Sequence, residues 1–467
     1  MDTNNKKEEN SLVLNRDIFE NDPIPVAMRK LALPTVVSML IIILYNMVDI
    51  FFVGQLNDAN KVASISVASP IFLLLMAFGN MFGIGGATFI SRALGKRKDY
   101  IVKNISSFCF YGSIFIGIFS AVIYSLFSKS IIYFSGASDN TFLDAKIYLD
   151  TIAYFAPVVV LTSTLSNLVR GEGAAKRAMN GMVLGTITNI ILDPIFILDK
   201  ISIFNINIFL IGMGVKGAAV ATIIGNCISV AYFIWFIVIK KTSILNLNIK
   251  YFKMRNRIFI EVFSIGLPAA LVNILMSVSN ILLNIVLAKH GDIAIAAMGV
   301  AIKANLLTVL IQEGIASGSQ PLIAYNYGAK NIKRQKASMN YAIKLNFIFG
   351  LILSISYIIF ANQIVHIFIS DTEVIKLGAM MLRTLMISIP FVGIMFVYQF
   401  SFQAMGNGFA SFILAVSRQG FIYIPVLFLA DYIIGLNGIA FAQPISDIIS
   451  ALIGFIIFLK LEKKFNS

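Results

Sequence analysis

Apolar stretches of about 20 residues, the length a helix needs to cross the hydrocarbon of a bilayer, recur along the whole chain with short polar breaks between them. They predict spans over residues 31–53, 62–90, 105–127, 149–169, 179–198 and 215–239. A second set follows over 262–288, 294–325, 341–361, 381–401, 412–434 and 438–459. The arrangement is six plus six, with a polar segment over 1–30, an N-terminal lobe over 31–239, a basic linker over 240–261, a C-terminal lobe over 262–459 and a polar tail over 460–467. Residues 1–30 hold no apolar run followed by a cleavage site, so no signal peptide is expected and insertion is expected to begin with the first span.

Composition agrees with this pattern. Of 467 residues, 58% are hydrophobic and 13% charged, against roughly 25% charged in an ordinary soluble domain. The formal charge of +14 would raise the question of nucleic acid in a soluble protein. Here the Lys and Arg residues collect in short loops, so no nucleic-acid partner is expected. With the N-terminus placed in the cytoplasm, about 26 of the 37 basic residues fall on that side and about 7 on the other. The asymmetry predicts a multi-pass protein of the plasma membrane with both termini cytoplasmic. Cys109 and Cys227 both lie inside apolar runs, which supports neither a disulfide framework nor a metal site.

The halves repeat each other. Leu33-Pro34 pairs with Leu267-Pro268 and Asn46 with Asn280 at an offset of 234. Residues 85–90 and Gly95 align with 318–323 and Gly328 at 233, Pro157 with Pro390, and Arg170-x-x-Gly173 with Gln403-x-x-Gly406. Pro194 lies two residues off register from Pro425. An even number of spans per half gives both halves the same orientation, related by an axis along the membrane normal. The expected fold is therefore an all-α polytopic membrane protein of twelve transmembrane helices in two like-oriented six-helix bundles, an arrangement typical of transporters.

Carboxylates inside spans need a reason, because each costs about 2.5–3.5 kcal/mol at the helix centre on the insertion scale. Asp49 stands five residues before Gly54 at the outer end of the first span, Asn189 and Asp193 lie on the fifth, and Thr222 lies on the sixth. At 1.5 Å per residue all four fall roughly 7–15 Å below the outer face. Asn189 and Asp193 share a helix face at i, i+4, and Pro194 leaves the carbonyl of Ile190 without its helical donor. Thr222 and Asn226 repeat that spacing, and Tyr45 stands one turn below Asp49. Two carboxylates, an amide, a hydroxyl and a bare carbonyl suit Na⁺; they equally suit H⁺, since two adjacent acids do not both stay ionised without a proton or a cation between them. By alignment Asp49 corresponds to Leu283 and Asp193 to Ile424 or Val426, so the C-terminal half lacks the cluster. Lys344 and Arg383, near span ends, are expected to snorkel. Lys303, Glu313, Arg418 and Asp447 lie deeper, and the sequence leaves open whether they form a polar pathway or pair between helices.

Other motifs carry little. Gly212-Met-Gly214-Val-Lys-Gly217 matches GxGxxG, but the run after it is an apolar span with no acid about 20 positions on. His290 and His366 have no ligand partners in the sequence, and no Walker loop or Ser–His–Asp set marks an enzyme or a cofactor site. Energy is then expected from an ion gradient.

The whole pattern resembles the multidrug and toxic compound extrusion (MATE) family of cation-coupled exporters. The resemblance rests on the Leu-Pro opening of each half, Ser91-Arg92-x-Leu-Gly95, Arg170-x-x-Gly173, Asn189-x-x-x-Asp193-Pro194 and Gly217-Ala-Ala-x-Ala-Thr222. The run Pro-Leu-Ile-Ala-Tyr-Asn-Tyr-Gly at 321–328 resembles the bacterial branch with an acid in the first span. The resemblance implies an antiporter, driven by H⁺ or Na⁺, that exports amphipathic, often cationic drugs by alternating access of two lobes and confers antibiotic resistance. It implies cation coupling at Asp49, Asn189, Asp193 and Thr222, a first span that bends near Pro34 when its acid is protonated, and Tyr45 and Asn226 in the substrate lining or its network. A monomer with no bound cofactor is expected. The alternative is a flippase for a lipid-linked precursor, a function of related twelve-to-fourteen-span proteins that tend to line their cleft with Arg and Lys.

Overall fold

The computed structural model describes residues 16–56, 58–203, 206–240, 242–254 and 256–466. Among these, ten helices are long and apolar enough to cross a membrane, and two bent pairs complete twelve spans. The first six are α1 (Ile24–Gly54), α2 (Ala59–Gly95), α3 (Asp99–Phe134), the bent pair α4 (Asp139–Tyr154) and α5 (Ala156–Gly171), α6 (Ala175–Ile197) and α7 (Val215–Ile234), which runs on as a π turn over Trp235–Ile239. The second six are α8 (Asn256–Ala288), α9 (Asp292–Gly328), α10 (Ile332–Ile359), the bent pair α12 (Thr372–Met386) and α13 (Ile389–Ala404) after a short α11 (Ala361–Phe368), α14 (Gly408–Val416) joined to α15 (Tyr423–Ile434) through a π turn at Ser417–Phe421, and α16 (Leu436–Asn466). Each of the twelve expected spans falls on one of these. Helices such as α2, with 37 residues, are about 55 Å long and project well beyond the hydrocarbon.

The bent pairs are the fourth span of each half, at 59° and 46°. Pro157 and Pro390 each occupy the first turn of the second helix of their pair, where a missing N–H is tolerated but the preceding helix cannot be continued. The sequence repeat thus carries a bend along with the helices. A short antiparallel hairpin pairs Lys200–Ile203 with Ile206–Phe209 between α6 and α7. It was not expected, because two four-residue strands leave no mark on a pattern read in span-length windows. The glycines of the GxGxxG match serve the connection from this hairpin into α7 and its first turn: Gly212 and Gly214 have φ of 66° and 58°, and a Cβ on Gly217 would meet the Phe196 carbonyl at 2.3 Å.

By contacts the chain forms two compact units. The first comprises residues up to Ile18 together with Val37–Gly266, and the second comprises Phe19–Val36 with Leu267–Ser467. The handover inside α1 falls just after Pro34, and the one inside α8 falls just before Pro268. In the first unit Val53, Ile65, Leu75, Tyr148, Ile152, Val160 and Val215 build a core shared by α1, α2, α4, α5 and α7. Hydroxyls stitch its helices: Ser91 donates to the Gly171 carbonyl at 2.5 Å and Thr164 to that of Gly79 at 3.0 Å. Glycine at 79 permits that approach, since a Cβ there would lie 2.6 Å from the Val160 carbonyl. In the second unit Phe19 stacks on Tyr325 at 4.7 Å, and Arg334 donates to the Phe19 carbonyl at 2.7 Å. Large side chains on the outer faces, among them Phe115, Leu126 and Ile367, are exposed, as lipid-facing positions are.

Candidate functional site

Within the first unit, α6 carries a face of small and polar residues at intervals of four: Gly181, Gly185, Asn189 and Asp193, all buried. The glycines bring α7 close. A Cβ on Gly185 would meet the Gly225 carbonyl at 2.5 Å, and one on Gly225 would meet that of Gly185 at 2.6 Å. One turn further out, the Asn189 amide donates to Asp193 Oδ1 at 3.0 Å and reaches Asp49 Oδ1 on α1 at 3.4 Å. The carboxyl of Asp193 lies against that of Asp49, close enough to share a hydrogen bond. Asp49, Asn189 and Asp193 are 6%, 1% and 0% exposed. Asn189 Oδ1 and Asp193 Oδ2 are buried with no hydrogen-bond partner among the described residues. Two carboxyls and an amide oxygen thus meet with acceptors to spare, and no described hydrogen bond or ion pair brings a Lys or Arg to them.

Thr222 on α7 is buried and joins the cluster through Tyr148 of α4, whose hydroxyl lies within hydrogen-bonding reach of it and whose ring stands near both carboxyls. Sequence reading missed Tyr148. It sits in a helix with Asp144, Lys146 and Asp150, where one more polar tip carries no signal, and only packing brings it inward. Asn226 is half-buried and turns its amide to the carbonyl of Thr222 at 2.9 Å, so no contact described here brings it to the carboxyls. Pro34 lies within the unbroken α1. The side chain of Tyr45 is outside the described residues. Among the described residues no three His, Cys, Asp or Glu converge as metal ligands, and the donors that do converge are oxygens of mixed type.

The deep charges of the second unit are partly paired. Arg418 donates from Nε to Asp447 Oδ1 at 2.7 Å; Ser388 and Gln443 add donors at 2.8 Å each. The guanidinium also lies 5.1 Å from the Phe396 ring centre, so this carboxylate is satisfied. Lys303 and Lys344 are exposed, and Arg383 is bound to the Ile358 carbonyl at 3.2 Å.

Glu172, in the loop between α5 and α6, is a second buried carboxyl the sequence did not single out. It is 2% exposed and accepts from Ser243 Oγ at 2.9 and 2.7 Å and from the Ile244 amide at 3.1 Å. Burial pushes its pKa up to about 7 against the opposing pull of these donors. Ser106 exchanges hydrogen bonds with both backbone groups of Asn246 at 2.9 and 3.0 Å. The basic linker is therefore fastened to the first unit through residues 243–248.

A search against protein families matches the MatE family twice, over residues 34–195 and 268–429. Both ends of the two matches are 234 residues apart, the offset of the internal repeat. The chain belongs to the MatE family. Among its relatives in that family are the multidrug export proteins MepA of Staphylococcus saprophyticus, 33% identical over 440 residues and 94% of each chain, and of Staphylococcus haemolyticus, 33% identical over 447 residues and 96% of each. A solved multidrug resistance MATE transporter in an outward-facing conformation is similar with a TM-score of 0.86 at 25% identity, over 94% of this chain and 96% of that one. The fold is also that of MATE structures solved in a bent and a straight conformation, with TM-scores of 0.88 and 0.89, 24% identity and 97% of this chain covered in each case, against 98% and 99% of those chains. This MATE chain is thus a multi-pass membrane protein of a multidrug export family. The lipid-linked flippase alternative finds no support among these relatives.

Proposed function

We propose that this chain is an antiporter of the plasma membrane that exports amphipathic, often cationic drugs and toxic compounds in exchange for H⁺ or Na⁺ entering at Asp49, Asn189, Asp193 and Thr222. The observation that carries the reading is the meeting of Asp49 and Asp193 across the Asn189 amide, all three buried, with Asn189 Oδ1 and Asp193 Oδ2 left without donors among the described residues. Two carboxyls in contact repel when both are ionised, and in a low-dielectric interior that repulsion is relieved by a proton on one or a cation between them. Entry of the coupling ion changes the charge of the cluster, and so the preference of the helices for one access state over the other. Departure of the ion toward the cytoplasm resets the pair. A cationic substrate competes for the same negative field, which excludes simultaneous occupancy and gives exchange.

The energy is adequate. One charge moving through 100 mV supplies about 2.3 kcal/mol, enough for roughly fifty-fold accumulation before any chemical gradient is added. The uneven distribution of Lys and Arg supports cytoplasmic termini. The relatives are named exporters, which supports the direction of transport and a non-enzymatic role.

The test is ethidium efflux from cells or inside-out vesicles under a Na⁺ gradient or a pH gradient imposed separately, beside Asp49→Asn. Efflux should follow one gradient and vanish in the variant while membrane expression is retained. Normal gradient-driven efflux from Asp49→Asn would overturn the assignment of the site.

A further inference from the structure

The Ser91-Arg92-x-Leu-Gly95 motif plays no part in the exchange just described, yet it leads into a partly open basic cavity of the first unit. The cavity, about 110 Å³, is lined by Phe89, Arg92 and Lys96 at the end of α2, by Lys98, Tyr100 and Asn104 at the start of α3, and by Arg257 at the start of α8. Drug-sized pockets run to roughly 300–1,000 Å³, so this one has room for a small headgroup and not for an exported drug.

Its charge is unbalanced. Among the described residues four cations, Arg92, Lys96, Lys98 and Arg257, line the cavity, and one acid, Glu261, stands beside it, 2.9 Å from Arg92 Nη2. That contact is out of hydrogen-bond alignment, leaving the Arg92 Nη2 group, buried in a side chain 6% exposed, with no hydrogen-bond partner among the described residues. Asn104, 2% exposed, likewise leaves its side-chain oxygen unpartnered; turned over, the amide presents its N–H donors. The next acid along, Asp99, is taken by Arg16 through two bonds of 2.7 and 2.8 Å. Lys253 stacks over Tyr100 at 5.1 Å and adds to the same field. The Lys96 amine is held below its ordinary pKa by burial and by Arg92, Arg257 and Lys98, which outweigh Glu261. Such a cluster is completed by an anion with several oxygens, because two guanidinium and two ammonium groups together present more donors than the acceptors described beside them take up.

We infer that this cavity is a phosphate-binding site, taking the phosphate of an anionic phospholipid headgroup or a free phosphate anion. Both sources share the recognising chemistry, and the cavity is lined by the basic ends of three spans, past the apolar stretches that suit hydrocarbon.

Binding of phosphatidylglycerol and of phosphatidylcholine to the purified full chain in detergent, followed by native mass spectrometry, tests the lipid source. Titration with inorganic phosphate against chloride, followed by the melting midpoint, tests the free anion. Phosphatidylglycerol retained over phosphatidylcholine, a phosphate-induced rise in the midpoint, or both, is expected, the pattern naming the source. Lys96→Ala with Arg257→Ala should weaken that binding about ten-fold or more, since two charge-assisted contacts are lost. Glu261→Gln should strengthen it several-fold by releasing Arg92. The inference is overturned if neither probe binds, if the double variant binds as the parent does, or if Glu261→Gln weakens binding while the midpoint without ligand is unchanged.

Discussion

Asn189 is the residue on which the cluster turns, because one amide group touches both carboxyls. Asn189→Leu keeps the volume but removes the only donor described between two buried acids, and loss of a hydrogen bond to a charged group costs about 1.5–3 kcal/mol. Ion dependence of efflux should therefore shift by ten-fold or more, read as the Na⁺ concentration or pH at half-maximal rate, with protein still in the membrane. An unshifted half-point would show that the amide is structural. Tyr148→Phe should move the same half-point by only a few-fold, since the ring that packs against the core remains. These two residues mark the limit of what the sequence discloses. Asn189 and Asp193 stand out as polar groups in an apolar span at helical spacing, whereas Tyr148 is hidden among the charges of α4 until the bend in its span carries it inward. Glu172 was hidden for a similar reason, a carboxyl in a loop looking solvated until the linker is seen covering it. Its consequence is a pH dependence. The ordinary value of 4.5 is raised in the folded chain to about 7, so between those values the folded chain holds a proton the unfolded chain has lost, and stability falls as the pH rises through that window and levels off above it. The effect is on the order of 3 kcal/mol. The melting midpoint of the parent should decline between about pH 5 and pH 8, and that of Glu172→Gln should decline less; parallel profiles would refute the assignment of the slope to this group.

Helices repeat between the halves, and so do the places where they touch. A Cβ on Gly117 of α3 would lie 2.5 Å from Pro157 Cα, and one on Gly350 of α10 would lie 2.8 Å from Pro390 Cα. In both units a glycine receives the proline that starts the bent helix. A second contact repeats with its sizes exchanged. In the first unit Gly79 accepts the backbone at Val160; at the corresponding positions of the second unit Gln312 fills the space and Gly393 makes room, a Cβ at 393 falling 2.1 Å from Gln312 Oε1. The side-chain oxygen and nitrogen of Gln312 are buried and unpartnered among the described residues. Gly393→Val should accordingly destabilise by about 1–3 kcal/mol through overpacking, seen as a lower melting midpoint in detergent. Adding Gln312→Gly rebuilds the arrangement of the first unit and should restore part of the loss. A double variant less stable than both singles would show that the two positions do not share the space. The positions of the bends were legible as two prolines in register; the exchanged glycines were not, because a small residue in a span announces a close approach without naming its partner.

At the scale of the molecule, the twelve spans and the repeat were readable because the bilayer imposes one length and one polarity on every element that crosses it. Contacts that do not follow that rule had to be seen. The expected lobe boundaries followed hydropathy, and contacts instead assign the first part of α1, through Val36, to the second unit and the first part of α8, through Gly266, to the first unit. Both transfers occur beside the repeated Leu-Pro pairs. A proline in a helix removes one i→i−4 hydrogen bond and separates the turns on either side, so each handover coincides with a weakened point of its own helix. Asp49 lies on the far part of α1, in the first unit, while the near part is held in the second by contacts such as the Cα of Ala32, which would lie 2.5 Å from a Cβ on Gly318. Under the proposed exchange a change of charge at Asp49 would act on a helix whose two parts belong to different units, and Pro34 would be the point at which that helix bends most readily. Pro34→Ala restores the missing donor and stiffens that point. It should leave expression and the melting midpoint equal or raised, since alanine favours a helix interior by about 3 kcal/mol over proline, yet lower the rate of gradient-driven efflux several-fold. The paired substitution Pro268→Ala separates the two explanations. If the hinge serves the cation site, the change at 34 slows efflux far more than the change at 268, because the acid stands on α1 and its counterpart at position 283 is leucine. Equal slowing would locate the effect in the rocking of both units alike, and undiminished efflux in Pro34→Ala would remove the hinge from the mechanism.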